Sequence, residues 1–426
     1  MKNAYKIRLA IATVIFLLVI LGFVGVFYPI KVLDLQFAPL LQRVFVDFSV
    51  IALVLVFAIV AITFVFGRFY CSTICPFGFL QEVVALIFHR KNKAIKNYPV
   101  KYYLMALSFG ALVGGSAVVL RYIEPYSLFG SASTISILGL VAVLMAVVLV
   151  FFKNRFFCTN ICPVGALLGL VAKFSLNKIS INKEMCVTCG MCEKNCPASC
   201  INSKEKNIDN ETCVRCMNCL QVCPKGGIKF GKQEKKSNEK FSLKRRQLII
   251  GATVLAVFGS MVKTGLVLKE KLVEKVKDII LPAGAISKDR FANKCYNCNL
   301  CVQNCPNKIL VKADENFSAV HIDYEKGEKF CKFDCNKCGN VCPTGAIKRL
   351  SLEDKQNTRI GMAMIIEDKC HKCNACVSAC PKGAIIKVVG KAPMLNAQKC
   401  IGCGACKATC YHEAIEIFSV KEQKNI

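Results

Sequence analysis

The sequence predicts a membrane α-helical bundle joined to α+β ferredoxin domains of the bacterial two-[4Fe-4S] type. Three observations carry this: four apolar runs precede residue 153, six four-cysteine runs follow it, and 54% of residues are hydrophobic with mean hydropathy +0.44. The organising stretch is RFFCTNICPVG, Arg155 to Gly165, which repeats an earlier RFYCSTICPFG, Arg68 to Gly78. Each copy follows an apolar run and sets two cysteines four apart with proline behind, so the N-terminal half reads as an internal duplication.

The apolar runs are Ile7–Phe27, Phe48–Phe66, Tyr103–Leu120 and Ile135–Phe152. Each approaches the ~20 residues a helix needs to span hydrocarbon. Lys2, Lys6 and Arg8 precede the first run, and Arg68, Arg90, Lys91, Lys93, Lys96 and Lys101 lie between the second and third. The other connections hold only Lys31 and Arg43, then Arg121, so the positive-inside rule turns both C-x-x-x-C-P phrases to the cytoplasm. If helix continues through the first phrase, Cys71 and Cys75 share a face, and Pro76 limits its further run. Cys158, Cys162 and Pro163 repeat that geometry. The four sulfurs can then converge on a metal or redox site, an iron–sulfur cluster or zinc, against the blander reading of buried thiols at helix ends.

The 29 cysteines and the +29 formal charge are connected. An oxidised cubane with four thiolates carries roughly two negative charges, so six offset about twelve lysines or arginines without a nucleic-acid partner. The spans contain no histidine, His89 being in a basic loop, and there is no C-x-x-C-H, so haem is not expected. Nor is there a Gly-x-Gly-x-x-Gly or phosphate loop for a nucleotide cofactor.

CVTCGMCEKNCP and CVRCMNCLQVCP both follow C-x2-C-x2-C-x3-C-P, in which the fourth cysteine serves the other motif's cluster. Cys186, Cys189, Cys192 and Cys223 should hold one [4Fe-4S] cluster, and Cys213, Cys216, Cys219 and Cys196 the other. Cys200 stands where later runs have alanine and reads as small-residue packing. Four more runs supply Cys295, Cys298, Cys301 and Cys305; Cys331, Cys335, Cys338 and Cys342; Cys370, Cys373, Cys376 and Cys380; and Cys400, Cys403, Cys406 and Cys410. The second of these has one extra residue, and the last lacks its proline. Sixteen cysteines serve four clusters, but spacing leaves open whether the first run shares with the second or with the fourth.

Between the two sets runs a charged linker, Gly231–Arg246, then a fifth apolar run, Leu248–Val262, then Leu268, Leu272, Val276 and Ile280 stepping by four. The run reads as an outward-crossing helix, and the stepping as an amphipathic helix on the membrane surface. KRRQLII reads either as a twin-arginine-like signal or as a plain basic anchor. The expected domains are 1–175, a four-helix membrane domain; 176–232, a two-cluster ferredoxin; 233–285, linker, fifth helix and amphipathic helix; and 286–426, a four-cluster polyferredoxin.

With these motifs in hand, residues 1–230 resemble the NapH membrane ferredoxins, through four spans, two C-x-x-x-C-P phrases, IEPYSLFG and CPVGAL. Residues 240–426 resemble the NapG/MauM ferredoxins, through the basic anchor and LPAGAISKDRFANKCYNCNLCVQNCP. The resemblance implies a quinol dehydrogenase subunit in a bacterial inner membrane, passing electrons from the (mena)quinol pool through six [4Fe-4S] clusters to a periplasmic reductase or cytochrome. On that reading 176–246 is cytoplasmic and 286–426 extracytoplasmic. Glu124, at the outer end of the third span, is the candidate proton acceptor, against a plain ion pair with Arg121. The alternatives are an electron carrier without its own quinone site, and an assembly accessory of the CcoG/RdxA kind that handles metal.

Overall fold

Each apolar run is mostly helical over its described residues in the computed structural model, which describes residues 4–24, 35–47, 50–88, 98–114, 116, 118–133, 137–152, 154–232, 245–275, 279–312 and 319–424. His89 with its basic loop, most of the charged linker, Val276 and the pairing of Glu124 with Arg121 lie outside the described residues. The N-terminal helices are α1 (Ala4–Val24), α2 (Phe37–Asp47), α3 (Val50–Phe66), α4 (Tyr70–Thr73), α5 (Pro76–Ile87) and α6 (Val100–Val113). They continue with α7 (Val118–Ile123), α8 (Pro125–Ser133), α9 (Ile137–Phe152), α10 (Phe156–Asn160) and α11 (Pro163–Lys173).

Among the described residues one helix, at Ala4–Phe23, is long and apolar enough to cross a membrane. Over the described residues the second run gives 17 helical residues and the fourth 16, against the ~20 of a full span. The third, expected unbroken, divides into α6 and α7. The fifth lies inside one 31-residue helix, Arg245–Lys275. The stepping residues do not form a separate amphipathic helix, since Ile280 lies beyond it and bridges to Ile322 in extended conformation.

The duplication is visible in the packing: α3 lies against α11, and α9 against α5. Gly67 ends α3 at φ +79°, a conformation open to glycine, and a Cβ there would stand 2.2 Å from Arg215 Nε. The expectation that one helix carries both Cys71 and Cys75 is therefore corrected. Cys71 lies in α4, while Cys75 is the extended N-cap of α5, with Pro76 opening that helix at its first turn. Cys158 in α10, Cys162 as N-cap and Pro163 in α11 repeat the plan.

The chain divides into two units, Met1–Gly22 with Lys31–Leu266, and Phe23–Ile30 with Val267–Ile426. In the first, β1 (Asn177–Ile181) pairs antiparallel with β4 (Ile228–Lys232), and β2 (Ile201–Asn202) with β3 (Asn207–Ile208). The same nested plan recurs in the second unit. There β7 (Gly361–Ile365) pairs with β10 (Ile415–Ser419), around β8 (Ile385–Ile386) with β9 (Met394–Leu395). Ahead of them in that unit, β5 (Leu310–Val311) pairs with β6 (His321–Ile322).

Candidate iron–sulfur centres

In five of the six cysteine runs, the residues before and after the second cysteine are both left-handed. They are Thr188 and Gly190, Arg215 and Met217, Asn297 and Asn299, Lys372 and Asn374, and Gly402 and Gly404, all with φ between 54° and 84°. Left-handed residues alternating with ordinary ones turn successive N–H groups towards one point, a nest suited to an anion. A one-turn helix then carries the third cysteine, as Met191–Lys194 does for Cys192. The run with the extra residue departs from this, Asn336 standing at φ −125°.

Five cavities lie over these loops, each lined by cysteines of two runs. One is lined by Cys186, Cys189, Cys192 and Cys223, and the next by Cys213, Cys216, Cys219 and Cys196. In the second unit Cys331, Cys335 and Cys338 line theirs with Cys305. Cys370, Cys373 and Cys376 do so with Cys410, and Cys400, Cys403 and Cys406 with Cys380. For the remaining set, the charge of Cys342 is felt at Cys298 and Cys301, both raised first by burial. The crossing is thus between neighbouring runs, third with fourth and fifth with sixth. Among the described residues no three His, Cys, Asp or Glu side chains close on a point suited to a single metal ion. A cubane instead takes its thiolates at four separate corners.

Cys200 is buried, as packing requires. Its sulfur lies 3.4 Å from Cys196 Sγ and lines the same cavity. The thiol's hydrogen bond, with help from the Arg215 guanidinium and against burial, brings Cys213 down to about 6.

In the second unit the sets stand in series. The Cys331 N–H donates to the Cys403 carbonyl at 2.7 Å, and Tyr324 Oη to the Gly402 carbonyl at 2.5 Å. The set holding Cys331 thus adjoins the set holding Cys403. At the end of the series His371 and His412 stack at 3.9 Å on the rim of the Cys370 cavity, beside Tyr411, which is 93% exposed.

The C-x-x-x-C-P cysteines come together in the helical part. Arg68 donates to the Cys158 carbonyl (3.0 Å) and lies 3.9 Å from Cys71 Sγ, while Arg155 donates to the Cys71 carbonyl (2.9 Å). Each arginine of one copy therefore serves the other copy. This crossing needs the glycine of each phrase, since a Cβ at Gly78 would stand 2.4 Å from the Cys71 carbonyl and one at Gly165 2.7 Å from Arg68 Nη2. Burial raises the Cys75 and Cys162 thiols, and the neighbouring cysteines raise them further. Arg8 and Arg155 both grip Glu82, at 2.5 to 2.7 Å. Arg8, Arg68 and Lys101, counted above as cytoplasmic-facing charge, are in fact buried. Charge counting missed these roles, although both repeated phrases open with arginine.

Glu124 is buried and accepts from the Ser127 N–H at 2.7 Å, capping α8. Its charge is felt at Cys75 and Tyr70, nearer the cysteine phrases than the far end of a span would be.

Comparison with known proteins agrees with these centres. Family models described as "4Fe-4S binding domain" match residues 48–94 with 135–182, 183–199 and 206–229. Two described as "4Fe-4S dicluster domain" match 330–384 and 362–411. The methylamine utilization ferredoxin-type protein MauN of Paracoccus denitrificans is 34% identical over 175 residues, 37% of this chain and 59% of that protein. The ferredoxin-type protein NapG of Escherichia coli K12 is 33% identical over 92 residues, 21% of this chain and 39% of that protein. Protein NirI of Paracoccus denitrificans is 28% identical over 176 residues, 37% and 24% respectively. The chain spans about half the length of the first curated relatives it matches. With several 4Fe-4S domains and these likenesses, the chain is an iron–sulfur protein of the ferredoxin type, similar to the NapH/NapG polyferredoxins.

Proposed function

We propose that this protein is a membrane-bound polyferredoxin that takes electrons from the quinol pool and passes them, one at a time, through six [4Fe-4S] clusters to a reductase. The observation that carries it is the set of cavities in which three cysteines of one run meet the fourth of a neighbouring run. The 24 cysteines of the six runs are the ligands in this reading. In the second unit the order is the Cys295 set, the Cys331 set, the Cys400 set and then the Cys370 set. The Cys370 set, under His371, His412 and Tyr411, faces the partner protein.

Membrane attachment is supported by α1 and by the bare apolar faces of α3 and α9, where Ile51 is 76% exposed and Leu144 63%. Faces of that kind mark contact with lipid or another apolar surface. In this reading the four N-terminal runs and the fifth cross a bacterial inner membrane, residues 176–246 are cytoplasmic and 286–426 extracytoplasmic. Glu124 accepts the quinol's proton. A carrier without its own quinone site is the second reading, favoured by one observation: the Glu124 carboxylate is already engaged with the Ser127 N–H.

The deciding experiment is anaerobic. Detergent-purified protein is mixed with a reduced menaquinone analogue and followed by EPR. Cluster signals that grow with quinol, and slow in Glu124→Gln, are the expected result. Reduction by dithionite alone would leave the carrier reading, and an unslowed Glu124→Gln would remove that residue's role.

A further inference from the structure

We propose that Lys355 is the counter-charge of the cluster on the Cys331 set and raises that cluster's potential, at the joint between the two cluster pairs of the second unit. The inference rests on the polyferredoxin reading and concerns what sets the potentials within it.

The starting observation is a departure. The run Cys331–Pro343 carries one extra residue, and neither Asp334 nor Asn336, which flank its second cysteine, is left-handed as in the other five runs. The alternation that turns N–H groups towards an anion is missing there. A lysine stands in its place. Lys355 is 4% exposed, and its Nζ donates to the Lys332 carbonyl and, at 3.0 Å, to the Phe333 carbonyl, both in the loop between Cys331 and Cys335. It also hydrogen-bonds the Cys331 sulfur, and its charge there works against the burial that raises that thiol. The short helix Leu352–Asn357 delivers this lysine. Ser351 Oγ caps it by accepting from the Asp354 N–H at 3.0 Å, and Lys382 Nζ holds its other end by donating to Asn357 Oδ1 at 2.6 Å.

A buried ammonium has to be matched by negative charge close at hand. Among the described residues of the second unit, the buried lysines are Lys294 and Lys355, and no arginine, aspartate or glutamate is buried. Lys294 belongs to the neighbouring set, directly before Cys295. Lys332 and Asp334, on the loop itself, have side chains 50% and 63% exposed, so water screens both. Two carbonyl oxygens supply only partial charge to Lys355. An oxidised cubane with four thiolates carries about two negative charges and fits the cavity lined by Cys305, Cys331, Cys335 and Cys338. Reduction adds one more negative charge, which a fixed buried cation favours. A charge-assisted hydrogen bond to a ligand sulfur acts in the same direction.

Position gives the residue its use. The Cys331 N–H donates to the Cys403 carbonyl, so this set is the one from which an electron crosses to the second pair. An electron arriving from the Cys295 set reduces this cluster and leaves its neighbour oxidised, with no proton or leaving group. By favouring the reduced form, Lys355 draws the electron to the crossing point.

The test uses the full-length protein, isolated without oxygen, in a redox titration followed by EPR. Wild type should hold at least about 24 iron atoms per chain, and Lys355→Met as many. In Lys355→Met one midpoint should fall by about 59 mV or more, a tenfold loss in a one-electron reduction equilibrium. That midpoint should belong to the cluster missing from Cys338→Ala, and Lys355→Arg should bring it back towards the wild-type value. Unmoved midpoints, a shift of another cluster, or equal shifts in the Met and Arg variants would overturn the proposal. Should Lys355→Met lose iron, Lys355→Gln keeps a donor for the loop carbonyls and should show the same fall. An unmoved midpoint in that variant would overturn the proposal as well. Wild-type iron far below about 24 atoms would instead undo the six-cluster reading.

Discussion

Arg155 shows how a residue can be plain in the sequence while its role is hidden there. It opens a repeated phrase, and in composition it is one of 57 basic residues. Folded, it is fully buried, holding Glu82 with one nitrogen and the opposite copy's Cys71 carbonyl with another. Counting charges treats such residues as solvated, and only the fold reveals that Arg8, Arg68 and Arg155 converge. Substituting Glu82 by glutamine strands two of these cations, so we expect a loss of about 3–5 kcal/mol, read as a lower unfolding midpoint. Burial alone would raise the Glu82 carboxyl, but the Arg8 hydrogen bonds and the charge of Arg155 hold it below its usual value. A depressed carboxylate stabilises the fold above its ordinary pKa and loses that contribution as pH falls through the folded value. Wild type should therefore destabilise towards acid pH, and Glu82→Gln should flatten that part of the profile.

Among the elements, the cysteine loops were the most legible. A C-x2-C-x2-C-x3-C-P run states its ligands because three close thiolates and a distant fourth suit a cubane. It does not state its partner, which depends on which strands pair: β7 with β10 and β8 with β9 bring the fifth run against the sixth. Cys380→Ala should therefore cost the cluster on Cys400, Cys403 and Cys406 rather than that of its own run. Expected are a loss of about four iron atoms per chain and retention of the Cys370-set EPR signal; loss of the Cys370-set signal instead would refute the crossing. The loops also make a backbone demand. Asn374 sits at φ +61°, which a β-branched side chain resists, so Asn374→Val should destabilise by about 1–3 kcal/mol while Asn374→Gly is tolerated. Chemical denaturation of the two variants side by side checks it. Helix ends were less legible, because Gly67 reads as an ordinary glycine until Arg215 is seen against it. The apolar runs likewise announced helices, but not the break between α6 and α7.

The whole molecule comprises two units, each with cysteine sets lined crosswise by neighbouring runs. The cysteines themselves are part of the buried core around these sets, as Cys376, Cys400 and Cys406 are beside Ala363, Ala384, Ile385 and Ile415. Stability and electron transfer should then depend on the same iron, since a metal bound only by the folded chain contributes its binding energy to folding. The most direct measurement is EPR of the full-length protein reduced with dithionite, alongside its iron content. Crossed ligation holds paired clusters close enough for their spins to interact, so broadened, spin-coupled signals and at least about 24 iron atoms per chain are expected. Narrow, uncoupled signals from a smaller complement of iron would contradict it.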